Sequence, residues 1–153
     1  MELYYFGYGM NTNAEEMRKR CPTSHSPQRA ILHDYRLRFA RHCDIVPAWG
    51  DKVDGVLWRL QLQDLESLNR LEGYPNYYDR KVVDVYNAAG RIKRAEVYFM
   101  QPGNTLATPS LSYFTMCMEG YEQHGVPTDQ LYRAMREAKR AEELRTEYGQ
   151  YTV

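Results

Sequence analysis

The chain has 153 residues, of which 20 are basic and 20 acidic, so its formal net charge is zero. That balance argues against a nucleic-acid or acidic-membrane partner, which usually demands a basic surface. The length suits one domain over residues 1–153, and a 43% hydrophobic content excludes a disordered chain.

Leu3 to Phe6 is a short apolar run ending in Gly7-Tyr8-Gly9, a buried strand turning into a tight loop. Asn11 or Asn13 then caps a helix through about Arg20, stopped by Cys21-Pro22. Tyr35, Leu37 and Phe39 alternate with Arg36 and Arg38, the pattern of a half-buried strand. Val53 to Leu60 forms another strand, with Gly55 as a candidate bulge. Asp64 caps a helix that runs to Glu72 and is closed by Gly73 and Pro75. Tyr77–Tyr86 and Arg94–Met100 read as two strands joined by the turn Asn87-Ala88-Ala89-Gly90. After a polar loop from Gln101 to Pro109, Ser110 to His124 reads as helix, Gly125-Val126-Pro127 breaks the chain, and Thr128 caps a last helix. That helix, at about 128–148, carries alternating charges that suit a solvated surface with i,i+4 pairs. Five strands with irregularly spaced helices predict an α+β fold.

No run approaches the roughly 18 apolar residues of a membrane span, and the start lacks a basic segment followed by an apolar one. The expectation is a soluble, cytoplasmic protein. Cys21, Cys43 and Cys117 are odd in number and widely spaced, which suits buried thiols in a reducing compartment. His25, His33, His42 and His124 show no ligand spacing, so no metal is expected. Monomer and homodimer both remain open.

On a helical wheel, Leu62, Leu65, Leu68 and Leu71 span one arc, and Glu72 falls inside it. A carboxylate on an apolar face is costly unless paired, bonded or protonated, and desolvation raises its pKa toward the range of a general acid/base. The alternatives are that Glu72 reaches solvent past Gly73, caps a neighbouring segment or pairs with Arg80. Gly7-Tyr8-Gly9-Met10-Asn11 either forms a small anion nest of backbone N–H groups or is a plain strand-to-helix turn. It lacks the endings of a P-loop and of a Rossmann fingerprint.

Four segments in order resemble γ-glutamylcyclotransferases. Tyr8-Gly9-Met10-Asn11 resembles the family's Tyr-Gly-Ser-Asn loop; Gly55 to Leu60 resembles its Gly-Val-Val-Trp strand. Leu68-Asn69-Arg70-Leu71-Glu72-Gly73 is similar to its Leu-Asp-x-x-Glu-Gly segment. Pro109-Ser110-x-x-Tyr113, continued by Gly120 and Gly125-Val126-Pro127, is similar to its Pro-Ser-x-x-Tyr and Gly-Leu-Pro elements. The resemblance spans roughly residues 3 to 132. It implies a compact mixed β-barrel with flanking helices and a small-molecule γ-glutamyl substrate, with no metal or organic cofactor. It implies Glu72 as the catalytic acid/base, and Tyr8, Gly9, Met10, Asn11, Tyr78 and Tyr113 as substrate-binding residues, with Tyr77 an alternative to Tyr78. Met10 replaces the family serine, which removes a hydroxyl donor and is expected to weaken affinity or shift substrate choice. The glutathione-specific branch usually has leucine where Asn11 stands, which disfavours glutathione.

Overall fold

The computed structural model describes residues 2–149. Its elements, in chain order, are β1 (Glu2–Gly7), a 3-10 turn (Met10–Thr12), α1 (Ala14–Arg20), β2 (His25–Ala40), β3 (His42–Gln61), α2 (Leu62–Leu71), β4 (Tyr78–Asn87), β5 (Ile92–Met100), α3 (Leu111–His124) and α4 (Asp129–Gly149). The five strands close into a barrel in the order β1-β3-β2-β4-β5. All neighbours are antiparallel except β1 and β5, which meet in parallel at Tyr5 and Glu96. The barrel is mixed and carries helices around it, as the resemblance implied.

Two strands are far longer than the alternation predicted. β2 and β3 form a hairpin turning at Arg41, with register shifts between His25 and Gln28 and between His33 and Tyr35. Gln28, Arg29, Asp34 and Lys52 interrupt the apolar pattern, so only its two best segments were readable. Gly55 is not a bulge: it pairs regularly with Ala30. It is glycine because a Cβ there would lie 2.5 Å from the Gly7 carbonyl oxygen and 2.7 Å from the Phe6 ring. β1 and β3 can thus approach closely where the first loop begins.

Side chains from the strands pack the core inside the barrel and between it and the helices, including Phe6, Leu37, Phe39, Val53, Val56, Leu57 and Val85, none of them measurably exposed. At roughly 25 cal/mol per Å² of apolar surface, burying each contributes about 1.5–3 kcal/mol. Met17 plugs α1 into this core, and Tyr121 does so from α3. Asn13 caps α1, accepting from the N–H groups of Glu15 and Glu16; Asn11 belongs to the 3-10 turn instead.

α2 corrects two expectations. Gln61, not Asp64, is its N-cap, and Asp64 reaches back to the Gln61 N–H in a capping box. The leucine arc is only half buried: Leu65 and Leu68 are 4% and 0% exposed, whereas Leu62 and Leu71 are 54% and 56% exposed. Glu72 lies just past the helix as its C-cap. Among the described residues, no helix is long and apolar enough to cross a membrane.

Candidate active site

The loop after β1 is built so that its carbonyls face the protein. The Tyr8 carbonyl accepts from the Tyr121 hydroxyl at 2.6 Å, and the Asn11 carbonyl from Trp58 Nε1 at 2.9 Å. The Gly9 carbonyl accepts from the Thr12 hydroxyl at 2.7 Å and its N–H at 3.1 Å, while the Met10 carbonyl accepts from the Asn13 N–H at 2.9 Å. Only glycine fits at position 9, since a Cβ would come within 2.8 Å of the Cys43 Cβ and 3.1 Å of the Tyr113 hydroxyl. The N–H groups that open a 3-10 turn have no acceptor inside it.

Asn11, within this turn, is buried and links three side chains. Its Nδ2 donates to the Tyr5 hydroxyl at 2.8 Å and to Glu72 Oε1 at 3.2 Å. Its Oδ1 accepts from Arg20 Nη1 at 2.9 Å. Arg20 also directs Nη2 at Met10 Sδ, 3.0 Å away. The methionine that replaces the family serine therefore serves as an acceptor for Arg20, a use that the missing hydroxyl did not suggest.

Glu72 points into the same pocket. Burial pushes its carboxyl above the ordinary glutamate range, and Arg20 and the Asn11 hydrogen bond pull it partway back. Of the alternatives left by the sequence, pairing with Arg80 is excluded. Arg80 donates to Asn69 Oδ1 at 2.7 Å and pairs with Glu96 at 3.2 Å.

Tyrosines line the walls. The Tyr78 hydroxyl donates to the Cys43 carbonyl at 2.7 Å, whereas the Cys43 N–H donates to the Tyr113 oxygen at 3.0 Å. The Tyr8 hydroxyl donates to the Tyr98 carbonyl at 2.6 Å, and the Tyr98 hydroxyl to Asn69 Oδ1 at 2.6 Å. Burial pushes all four phenols upward, so they are neutral hydrogen-bonding groups at physiological pH.

The resulting cavity is about 210 Å³. Tyr5, Tyr8, Asn11, Cys43, Tyr78 and Tyr98 make a buried floor, while Leu71, Tyr77 and His42 are exposed at the mouth. The structure brings Tyr8, Gly9, Met10, Asn11, Glu72, Tyr78 and Tyr113 together around this one cavity. It adds Arg20, Tyr5, His42, Cys43 and Tyr98, which sequence reasoning did not single out. One signal was present for Arg20: it stands three residues after Met17, the buried residue of α1, and so shares that inward face. Among the described residues, no group of three or more His, Cys, Asp or Glu side chains is placed to hold a metal ion.

An α+β barrel with a tyrosine-walled pocket around a partly buried carboxyl group defines the class. Residues 5–115 match the family described as Gamma-glutamyl cyclotransferase, AIG2-like, and the chain belongs to that family. A human protein, Gamma-glutamylcyclotransferase, is 28% identical over 138 residues, covering 82% of this chain and 73% of its own. Its mouse namesake is 27% identical over the same shares. A solved structure of a Gamma-glutamyl cyclotransferase superposes with a TM-score of 0.80 at 25% identity, covering 88% of this chain and 86% of that one.

Proposed function

We propose that this protein is a γ-glutamylcyclotransferase that releases 5-oxoproline from a γ-glutamyl amino acid or amine. The observation that carries this reading is Glu72: a carboxyl pushed above its ordinary pKa by burial, held by Asn11, and facing the loop of Gly9 and Met10. A base of that kind suits removal of a proton from the substrate's α-ammonium group, whose pKa is about 8.

The freed amine attacks the substrate's own γ-carbonyl carbon and closes a five-membered lactam. The bond to the leaving nitrogen then breaks as Glu72 returns the proton to it, and the ring nitrogen gives up its remaining extra proton to the freed carboxylate. The chain need only hold the glutamyl arm folded, because intramolecular closure supplies much of the rate. The N–H groups of Gly9 and Met10 suit the α-carboxylate, with Tyr8 and Asn11 shaping that end of the pocket. Tyr113, whose oxygen accepts from the Cys43 N–H and whose hydroxyl lies beside the Cys43 thiol, suits the tetrahedral oxyanion. Tyr78 fixes the wall, its proton being committed to the Cys43 carbonyl.

The exposed mouth favours a second reading, in which the same chemistry strips a γ-glutamyl group from a larger amine. Leu71 is 56% and Tyr77 39% exposed, so a leaving group there is not enclosed. A panel of γ-glutamyl amides with small and large leaving amines, with 5-oxoproline detected by mass spectrometry, tests both readings. Release from none of them rejects cyclotransfer and leaves a ligand-binding protein.

A further inference from the structure

We propose that Arg20 is a positioning residue for the acid/base: its guanidinium fixes which way the Asn11 amide faces and so keeps an N–H donor on Glu72. The inference rests on Glu72 being the acid/base of the site.

An asparagine amide presents an acceptor on one side and two donors on the other, and it can sit either way round in a pocket of the same shape. Here the neighbours allow one orientation. A guanidinium only donates, and an ionised carboxylate only accepts. With Oδ1 on Arg20 Nη1 and Nδ2 on Glu72 Oε1 and the Tyr5 hydroxyl, every contact pairs a donor with an acceptor. The reversed amide would set its oxygen against the carboxylate and its NH2 against the guanidinium. Arg20 enforces the productive orientation because a guanidinium offers donors only and no acceptor.

Arg20 is itself held from two sides. Nη2 contacts Met10 Sδ at 3.0 Å, and Nε lies 3.8 Å from Glu16 Oε2, one turn back on α1. Its position is thus tied to the substrate-facing loop as well as to its own helix.

The other groups around Glu72 do not duplicate this role. Tyr5 of β1, Cys21 after α1, Tyr77 just before β4, Tyr78 at its start and Tyr98 of β5 are all pushed upward, chiefly by burial, and stay neutral near pH 7. His42, at the start of β3, is pushed downward by burial and by Arg20 and Arg41. Among the described residues, Arg20 is the one guanidinium or ammonium group whose side chain lines the cavity. It favours the ionised carboxylate twice, through its charge and through the amide it orients. Without it, Glu72 must titrate at higher pH.

The test compares wild type, Arg20→Met and Arg20→Lys. Glutamate carboxyls labelled with carbon-13 are titrated by NMR, with Glu72 assigned by its loss in Glu72→Gln, and kcat and KM for γ-glutamyl-alanine are measured against pH. In Arg20→Met the Glu72 signal moves to higher pH, and kcat/KM at pH 5.5 falls about tenfold further than at pH 8. Lysine restores the charge but not the planar fork. Arg20→Lys therefore titrates close to wild type yet loses kcat several-fold, because a point charge does not hold the amide. An unmoved Glu72 signal in Arg20→Met, or an undiminished kcat in Arg20→Lys, overturns the inference. A wild type that turns over no γ-glutamyl amide instead sinks the underlying reading, and the NMR titration still reports on Arg20 separately.

Discussion

Tyr78 and Tyr113 both bond to the backbone of Cys43, with opposite polarity. Tyr78 spends its proton on the Cys43 carbonyl, while Tyr113 accepts from the Cys43 N–H and turns its hydroxyl toward the Cys43 thiol. Two tyrosines equivalent by position therefore differ in chemistry.

Tyr113→Phe should lower kcat by about a hundredfold, the range seen when one oxyanion donor is lost. The Cys43 N–H loses its acceptor at the same time, so stability should fall by about 1–2 kcal/mol. Tyr78→Phe should show a comparable stability loss with a smaller effect on kcat. Steady-state kinetics beside urea unfolding checks this, and equal rates for Tyr113→Phe and wild type would remove Tyr113 from the chemistry.

Glu72→Gln should abolish 5-oxoproline release, a loss of about 10²–10⁴-fold from removal of acid/base catalysis alone. Its effect on stability depends on pH. Burial raises the Glu72 pKa in the folded chain, so folding favours the protonated form; that contribution is full below the ordinary glutamate pKa and is lost as pH rises through the raised one. The variant should melt higher than wild type at pH 8 and lose that advantage at pH 4. A folded Gln variant with wild-type turnover ends the proposal.

In the wild type, activity should fall as the medium is acidified through the Glu72 titration, because a protonated carboxyl cannot accept from the α-ammonium. The acid limb of kcat/KM should lie above the ordinary glutamate range, in keeping with the direction of the shift. A limb within that range would show that burial does not govern the working group.

Next to the lining residue Cys43, Asp44 is 1% exposed and accepts from the Met100 N–H at 2.8 Å and Arg38 Nε at 2.7 Å. Asp44→Ala leaves both donors without their acceptor and should destabilise the barrel by about 3 kcal/mol. Chemical denaturation measures it, and a change under 1 kcal/mol would mean that water replaces the carboxylate.

The loop after β1 and the position of Glu72 were legible because they depend on local patterns, two glycines and a helix stop, whereas strand closure into a barrel came only from the family resemblance. The wheel argument nevertheless reached Glu72 by a partly wrong route. Leu62 and Leu71 are exposed, and Glu72 is drawn partly inward because the end of α2 docks on Asn11, not because a continuous apolar stripe carries it there. Arg20 was obscured by composition. It follows Arg18 and Lys19 at a helix C-terminus, where basic residues complement the helix dipole, and only the fold singles out one of the three. The length of the β2–β3 hairpin was hidden because its partners lie up to tens of residues apart, and pairing at that range leaves no local trace.

The anchoring of the four carbonyls from Tyr8 to Asn11 has an energetic corollary. A ligand arriving at this turn meets a rigid receptor and immobilises little new chain, so the entropic penalty of association is small and nearly constant. Differences in affinity between two γ-glutamyl amides then report on what their departing portions touch at the rim.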